Sequence, residues 1–91
     1  SMTINTLRTF PHVVKALNSA PSALFCKAKE FLDEITTKDS SKKLCGDYLS
    51  YLVGVVDTLY EVGKIDFDLQ YKCLVELDNF SKKRAIYSNC L

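Results

Sequence analysis

Ninety-one residues make one domain, large enough for a core but only a thin one. The formal net charge of +1 excludes the strong basic field of a general nucleic-acid binder. No apolar run is long enough to span a bilayer, because Ser50, Gly54 and Asp57 interrupt the longest one.

Residues 1–8 are expected to be frayed, with at most a short helical turn. Ser1 ahead of Met2 reads as a cloning remnant. Met2 is then a native start or a start added after removal of a leader. The first residues lack an apolar core after a basic start, so no signal peptide is read. Thr9-Phe10-Pro11 signals a helix start, since proline fits a first turn, and a short helix is predicted over 11–18. The break at Asn18-Ser19-Ala20-Pro21 precedes a second helix over 21–36, with Ser19 or Ser22 as its cap. There Leu24, Ala28, Phe31, Leu32 and Ile35 form the apolar stripe, while Lys27, Lys29, Glu30, Asp33 and Glu34 face water. A polar loop over 37–41 leads to a long third helix ending at Gly63, a residue suited to a left-handed C-terminal position. Asp66 caps a fourth helix over 67–81, whose Phe67, Tyr71, Leu74 and Leu77 share a face, with Cys73 and Phe80 close to it. Residues 85–91 form a short last helix or tail. No period-two run bounded by a hairpin turn occurs. The fold class is all-α: a compact bundle of four or five short helices filling 9–91.

The third helix carries the most information. It is apolar over most of its circumference, as a core helix is. Yet Asp47, Ser50, Gly54, Asp57 and Glu61 recur at steps of three and four residues, which puts them on one side. Glycine inside a helix costs about 1 kcal/mol against alanine, so Gly54 invites close approach by another helix or by a partner. Asp57 needs water, a hydrogen bond or a cation. Tyr48, Tyr51 and Tyr60 flank it, and tyrosine is favoured at recognition surfaces. Asp47, Ser50, Tyr51, Gly54, Asp57 and Glu61 are the candidate partner-binding residues. Packing inside the monomer is the competing use of the same seam, and a homodimer is one candidate association.

Catalytic chemistry finds little purchase. His12 is the single histidine, and a Cys–His pair needs it beside one of four scattered cysteines. The carboxylate pairs Asp33/Glu34, Asp66/Asp68 and Glu76/Asp78 fall on predicted solvent faces or helix starts. Lys82-Lys83-Arg84 reads as a solvated charged face. Without a CxxC motif and with one histidine, no metal site is expected; neither a cofactor nor catalytic residues are assigned. Cys26, Cys45, Cys73 and Cys90 form an even set. In an exported domain they read as disulfide candidates, with three complete pairings possible; otherwise they are reduced, small hydrophobes. A Cys26–Cys45 bridge is strained by an offset of about 7 Å along the hairpin, whereas Cys73–Cys90 is easier.

Tyr51-Leu52-Val53-Gly54-Val55-Val56-Asp57-Thr58-Leu59 resembles the Rap1a/Tai immunity-protein family of bacteria. Those chains carry a similar tyrosine–glycine–aspartate helix behind a cysteine, preceded by a helix with an earlier cysteine. Leu24-Phe25-Cys26 looks like that earlier element, Ile65-Asp66-Phe67-Asp68-Leu69-Gln70 like the start of the family's next helix, and Cys90 like its C-terminal cysteine. The resemblance covers 24–91. Cys45 lies two turns before Tyr51 where the family has one, and Cys73 falls inside a helix, so no cysteine pairing is carried over. The resemblance implies a protein that binds and blocks a cell-wall-degrading effector, often as a dimer, in the periplasm once a leader is removed. The leading expectation is therefore a small helical binding protein that neutralises a partner enzyme or toxin by occlusion. The alternative is a cytoplasmic helical adaptor with reduced cysteines. A carrier of apolar ligands ranks third and a hydrolytic enzyme last.

Overall fold

The computed structural model describes residues 2–37 and 41–84, with the backbone alone at position 42. The chain runs through α1 (Ile4–Thr9), α2 (Pro11–Leu17), α3 (Ser22–Ile35), α4 (Lys42–Glu61) and α5 (Phe67–Lys83). No strand occurs among the described residues, so the all-α expectation holds. Helix α4 lies centrally, packed against α2, α3 and α5; α5 also packs on α2, and α1 rests on α2 and α3.

Two helix boundaries follow directly from local chemistry. Ser41 caps α4 by accepting the Leu44 N–H at 3.1 Å, and Asp66 caps α5 by accepting that of Leu69 at 2.8 Å. At the far end of α4, Gly63 adopts φ +78°. The Gly63 N–H donates to the Tyr60 carbonyl at 3.0 Å and the Lys64 N–H to that of Leu59 at 2.8 Å. This pair of bonds is the Schellman ending that a left-handed residue permits.

Other boundaries depart from expectation. The N-terminal segment is helical from Ile4 rather than frayed. Its anchor is Asp33, which accepts from the Thr3 N–H at 3.2 Å, the Thr3 hydroxyl at 3.2 Å and the fully buried Thr6 hydroxyl at 2.7 Å. Lys29 adds an ion pair at 3.4 Å. Asp33 is therefore a partly buried clamp between α1 and α3, not a solvated acid. At the start of α3, Pro21 occupies the cap position and neither Ser19 nor Ser22 supplies a side-chain bond there. Ser1, most of the loop after Thr37, the final segment over 85–91 and Cys90 lie outside the described residues.

Burial raises the Asp33 pKa, but hydrogen bonds from the Thr6 hydroxyl, the Thr3 N–H, Lys29 and the Thr3 hydroxyl outweigh it. The net result lies below the ordinary 3.8. A lowered folded value means stability that is full above the unfolded value of about 4 and is lost as pH falls through the folded one. Asp33→Asn is expected to be about 1–2 kcal/mol less stable at neutral pH. Its urea midpoint should fall less steeply than the wild type's below about pH 4. Parallel acid limbs for the two proteins would contradict the clamp.

The hydrophobic core draws on α2 to α5 and on Phe10, while α1 buries only the polar Thr6. Phe10, Val13 and Leu17 meet Leu32 and Ile35 of α3, Leu49, Leu52 and Val56 of α4, and Cys73, Leu77 and Phe80 of α5 in one cluster. On α3, Ala28, Leu32 and Ile35 are buried as expected, with Leu24 and Phe31 half-buried. On α5 the apolar face divides. Leu77 is buried, yet Phe67 is 64% and Tyr71 60% exposed. The inward face instead combines Leu77 with Cys73, Phe80 and Ser81. The small Cys73 and Ser81 side chains suit close contact with neighbouring helices, which turns the larger rings outward.

Candidate functional site

The seam predicted on α4 is an open crest. Its helix buries Leu49, Leu52, Val53, Val55, Val56 and Leu59. Asp47, Gly54 and Glu61 are exposed, and Ser50 and Asp57 are half-buried at the crest's edge. Position 54 is decisive. A side-chain carbon placed on Gly54 would meet nothing within 4 Å beyond its own helix. Among the described residues no backbone uses the space that glycine leaves, so the glycine has no packing role among them. Gly54→Ala is expected to raise stability by about 1 kcal/mol, read as a higher urea midpoint.

The other seam residues are held in place by local bonds. The Ser50 hydroxyl donates to the Gly46 carbonyl one turn back at 3.0 Å. Asp57 accepts from Gln70 Nε2 of α5 at 3.0 Å. That bond supplies the partner the buried edge of this acid requires, and it fixes the carboxylate on the crest side of the α4–α5 groove.

Tyr51 lies on the opposite flank, half-buried against α3. Its ring meets Phe31 edge-on at 4.9 Å, and Tyr48 stacks on Phe31 at 4.2 Å. The Lys27 ammonium sits 5.9 Å from the Phe31 and Tyr51 ring centres, within cation–π range. Tyr51 is thus an aromatic wall of the crest rather than a free projection. The structure brings Asp47, Ser50, Gly54, Asp57 and Glu61 onto one surface, with Tyr51 along one margin.

A second exposed surface includes Phe67 and Tyr71, which the sequence puts on one face of α5 with Leu74 and Leu77. Tyr60 at the end of α4 meets Phe67 of α5 edge-on at 6.1 Å. Phe67, Tyr71 and Val75 then follow one another along α5, all exposed. The Asp57–Gln70 bond marks the border between this stripe and the crest. The only signal in the sequence was an excess of apolar residues on α5, more than one buried face needs.

His12 borders the α5 stripe, lining a hollow with Tyr71, Lys72, Val75 and Glu76. Its Nδ1 pairs with Glu76, which also accepts the backbone N–H groups of His12 at 2.9–3.0 Å and Val13 at 2.9 Å. The pair therefore completes the start of α2. Cys26, Cys45 and Cys73 are thiols, Cys26 exposed and the other two buried. Burial, and then the charge of Glu76, push the Cys73 thiol up to about 12, so it stays protonated and a poor nucleophile. Among the described residues no cluster of three or more metal-ligating side chains forms, and no helix is long and apolar enough to cross a membrane. A cleft of about 370 Å³ opens beside Met2, Phe25, Cys26, Lys29 and Glu30. It is a surface hollow between α3 and Met2, which precedes α1. No protein-family model, curated protein or solved structure matches this chain.

Proposed function

We propose that this chain is a small helical binding protein that neutralises a partner enzyme or toxin by occlusion, with the crest of α4 as the contact surface. The carrying observation is Gly54: a glycine in mid-helix, with empty space above it, at a cost of about 1 kcal/mol. A partner that approaches the α4 backbone gives that residue a use which the described residues do not. Asp57, oriented by Gln70, and the exposed Glu61 and Asp47 supply polar anchors around the bare backbone, and Tyr51 supplies an aromatic margin. Such a centre with a polar rim is how a few residues dominate an interface. The resemblance of 24–91 to bacterial immunity proteins names the kind of partner: a secreted hydrolase whose active site the crest would cover.

The test is capture with immobilised protein from the source organism, followed by an activity assay on the captured hydrolase. Stoichiometric inhibition by the wild type and none by Gly54→Leu is the expected outcome. A captured hydrolase that stays fully active when saturated would overturn the inhibitor reading. The adaptor reading draws on the buried thiols of Cys45 and Cys73, which need no oxidising compartment. Intact-mass analysis after alkylation, with and without reductant, separates the two. Four alkylated thiols without reductant, in protein made in an oxidising compartment, favour the adaptor.

A further inference from the structure

Two adjoining hollows open where α2 packs on α5, and we propose that they bind a small carboxylic acid with an aromatic or branched aliphatic body. The first, of about 200 Å³, is lined by Tyr71 and Val75 together with His12, Lys72 and Glu76. The second, of about 250 Å³, is lined by His12, Lys15, Asp66, Asp68, Leu69 and Lys72. His12 and Lys72 belong to both, so an apolar half and a polar half meet at these two side chains. None of the lining residues lies on α4, which separates this site from the crest.

The polar capacity left unspent here belongs to donors. The acids are already engaged. Asp66 accepts the Leu69 N–H at 2.8 Å, and Asp68 pairs with Lys72 at 3.0 Å. Glu76 accepts the N–H groups of His12 and Val13 and pairs with His12 Nδ1. Lys15, one turn along α2 from His12, makes no ion pair among the described residues. Lys72 keeps two N–H bonds beyond the one that Asp68 takes. A carboxylate only accepts, so His12 Nδ1 carries a proton toward Glu76. That bond holds the ring and leaves Nε2 without a partner among the described residues. A histidine fixed through one nitrogen is oriented to meet a ligand with the other. Lys15 and Lys72 therefore supply cations for a carboxylate, and His12 Nε2 adds a polar contact between them and the apolar half.

The apolar half sets the size. Tyr71 is 60% and Val75 38% exposed, one helical turn apart on α5, and a ring laid on them removes both from water. Each hollow is smaller than the roughly 300–1,000 Å³ of a cofactor pocket. The space suits one ring or branched chain with its carboxylate a few bonds away, which excludes a nucleotide or a prosthetic group.

NMR titration of the full chain with 3-phenylpropionate tests the site without any protein partner and without reference to Gly54. Saturable shifts are expected at the Lys15, Tyr71, Lys72 and Val75 amides and at the His12 ring, with Kd on the order of a millimolar for so small a ligand. The uncharged 3-phenylpropanamide should bind about tenfold or more weakly. Lys15→Gln should weaken the acid by about threefold and leave the amide unchanged, whereas Tyr71→Ala should weaken both. Lys15 and Tyr71 are exposed, so each variant should melt with the wild type. No saturable shift at several times the expected Kd would overturn the proposal. Equal binding of acid and amide, or a Lys15→Gln variant that binds the acid as the wild type does, would overturn it as well. A tripeptide ending in phenylalanine that binds about tenfold tighter than the acid would overturn the small-molecule assignment and give the hollows to a chain terminus.

Discussion

Phe10→Ala is expected to cost about 4 kcal/mol, a large part of the roughly 5–15 kcal/mol that holds a domain of ordinary stability together. The ring is completely buried and lies 5.1 Å from the Phe80 ring at a 48° tilt. Its backbone does a second task. The Phe10 N–H closes α1 on the Thr6 carbonyl at 2.9 Å, and the Phe10 carbonyl accepts the Val14 N–H at 2.9 Å to open α2. One residue therefore ends one helix, begins the next and fills the core where both meet α5. Truncation leaves a cavity at a place that two helix ends prevent from collapsing, which puts the cost at the upper end of such changes. Phe10→Leu keeps most of the volume and should cost about 1.5 kcal/mol. Thermal unfolding checks both, with a drop of more than about 15 °C for alanine. A drop below about 5 °C would show that the site relaxes freely.

Glu76→Ala follows with about 2–3 kcal/mol. Phe10 at the cap position of α2 has no side-chain acceptor to offer, and Pro11 fills the first turn. The N–H groups of His12 and Val13 are therefore left for a group from elsewhere, and Glu76 of α5 accepts both. A carboxylate at a helix start gains from the macrodipole as well as from the bonds. With its side chain 13% exposed, it is little screened by solvent. Glu76→Gln keeps an acceptor but gives up the charge and should cost about 1 kcal/mol. Urea unfolding of the two variants separates charge from bonding. Equal losses would mean that the charge contributes nothing; no loss in either would remove Glu76 from the account of α2.

These two residues also mark where sequence reasoning ran out. Asp33 adjoins Glu34, Glu76 lies two residues from Asp78, and each is at helical spacing from a lysine, so local pattern reads both as solvated. Their partners lie 64 and 27–30 residues away, and no local pattern encodes such distances. The helix ends were legible where the chemistry is local: Ser41, Gly63 and Asp66 each act within four residues of themselves. The two faces of α5 were not. Phe67, Tyr71, Leu74 and Leu77 fit a helical stripe, and so do Cys73, Leu77 and Phe80. Periodicity identifies an apolar face without saying whether the same chain covers it. The crest of α4 was legible because small and acidic residues on an otherwise apolar helix are conspicuous. Its connection through Gln70 to α5 was invisible, since glutamine at a helix surface is unremarkable.

The crest as a partner surface is the central claim, and titration calorimetry of Gly54→Leu against the captured, purified partner tests it most directly. The side chain enters space that no described residue occupies, so the variant should melt at or above the wild-type temperature. Its isobutyl group would stand where the partner approaches, and binding should weaken by about 100-fold or more. A correctly folded Gly54→Leu that binds the partner at full strength would contradict the account.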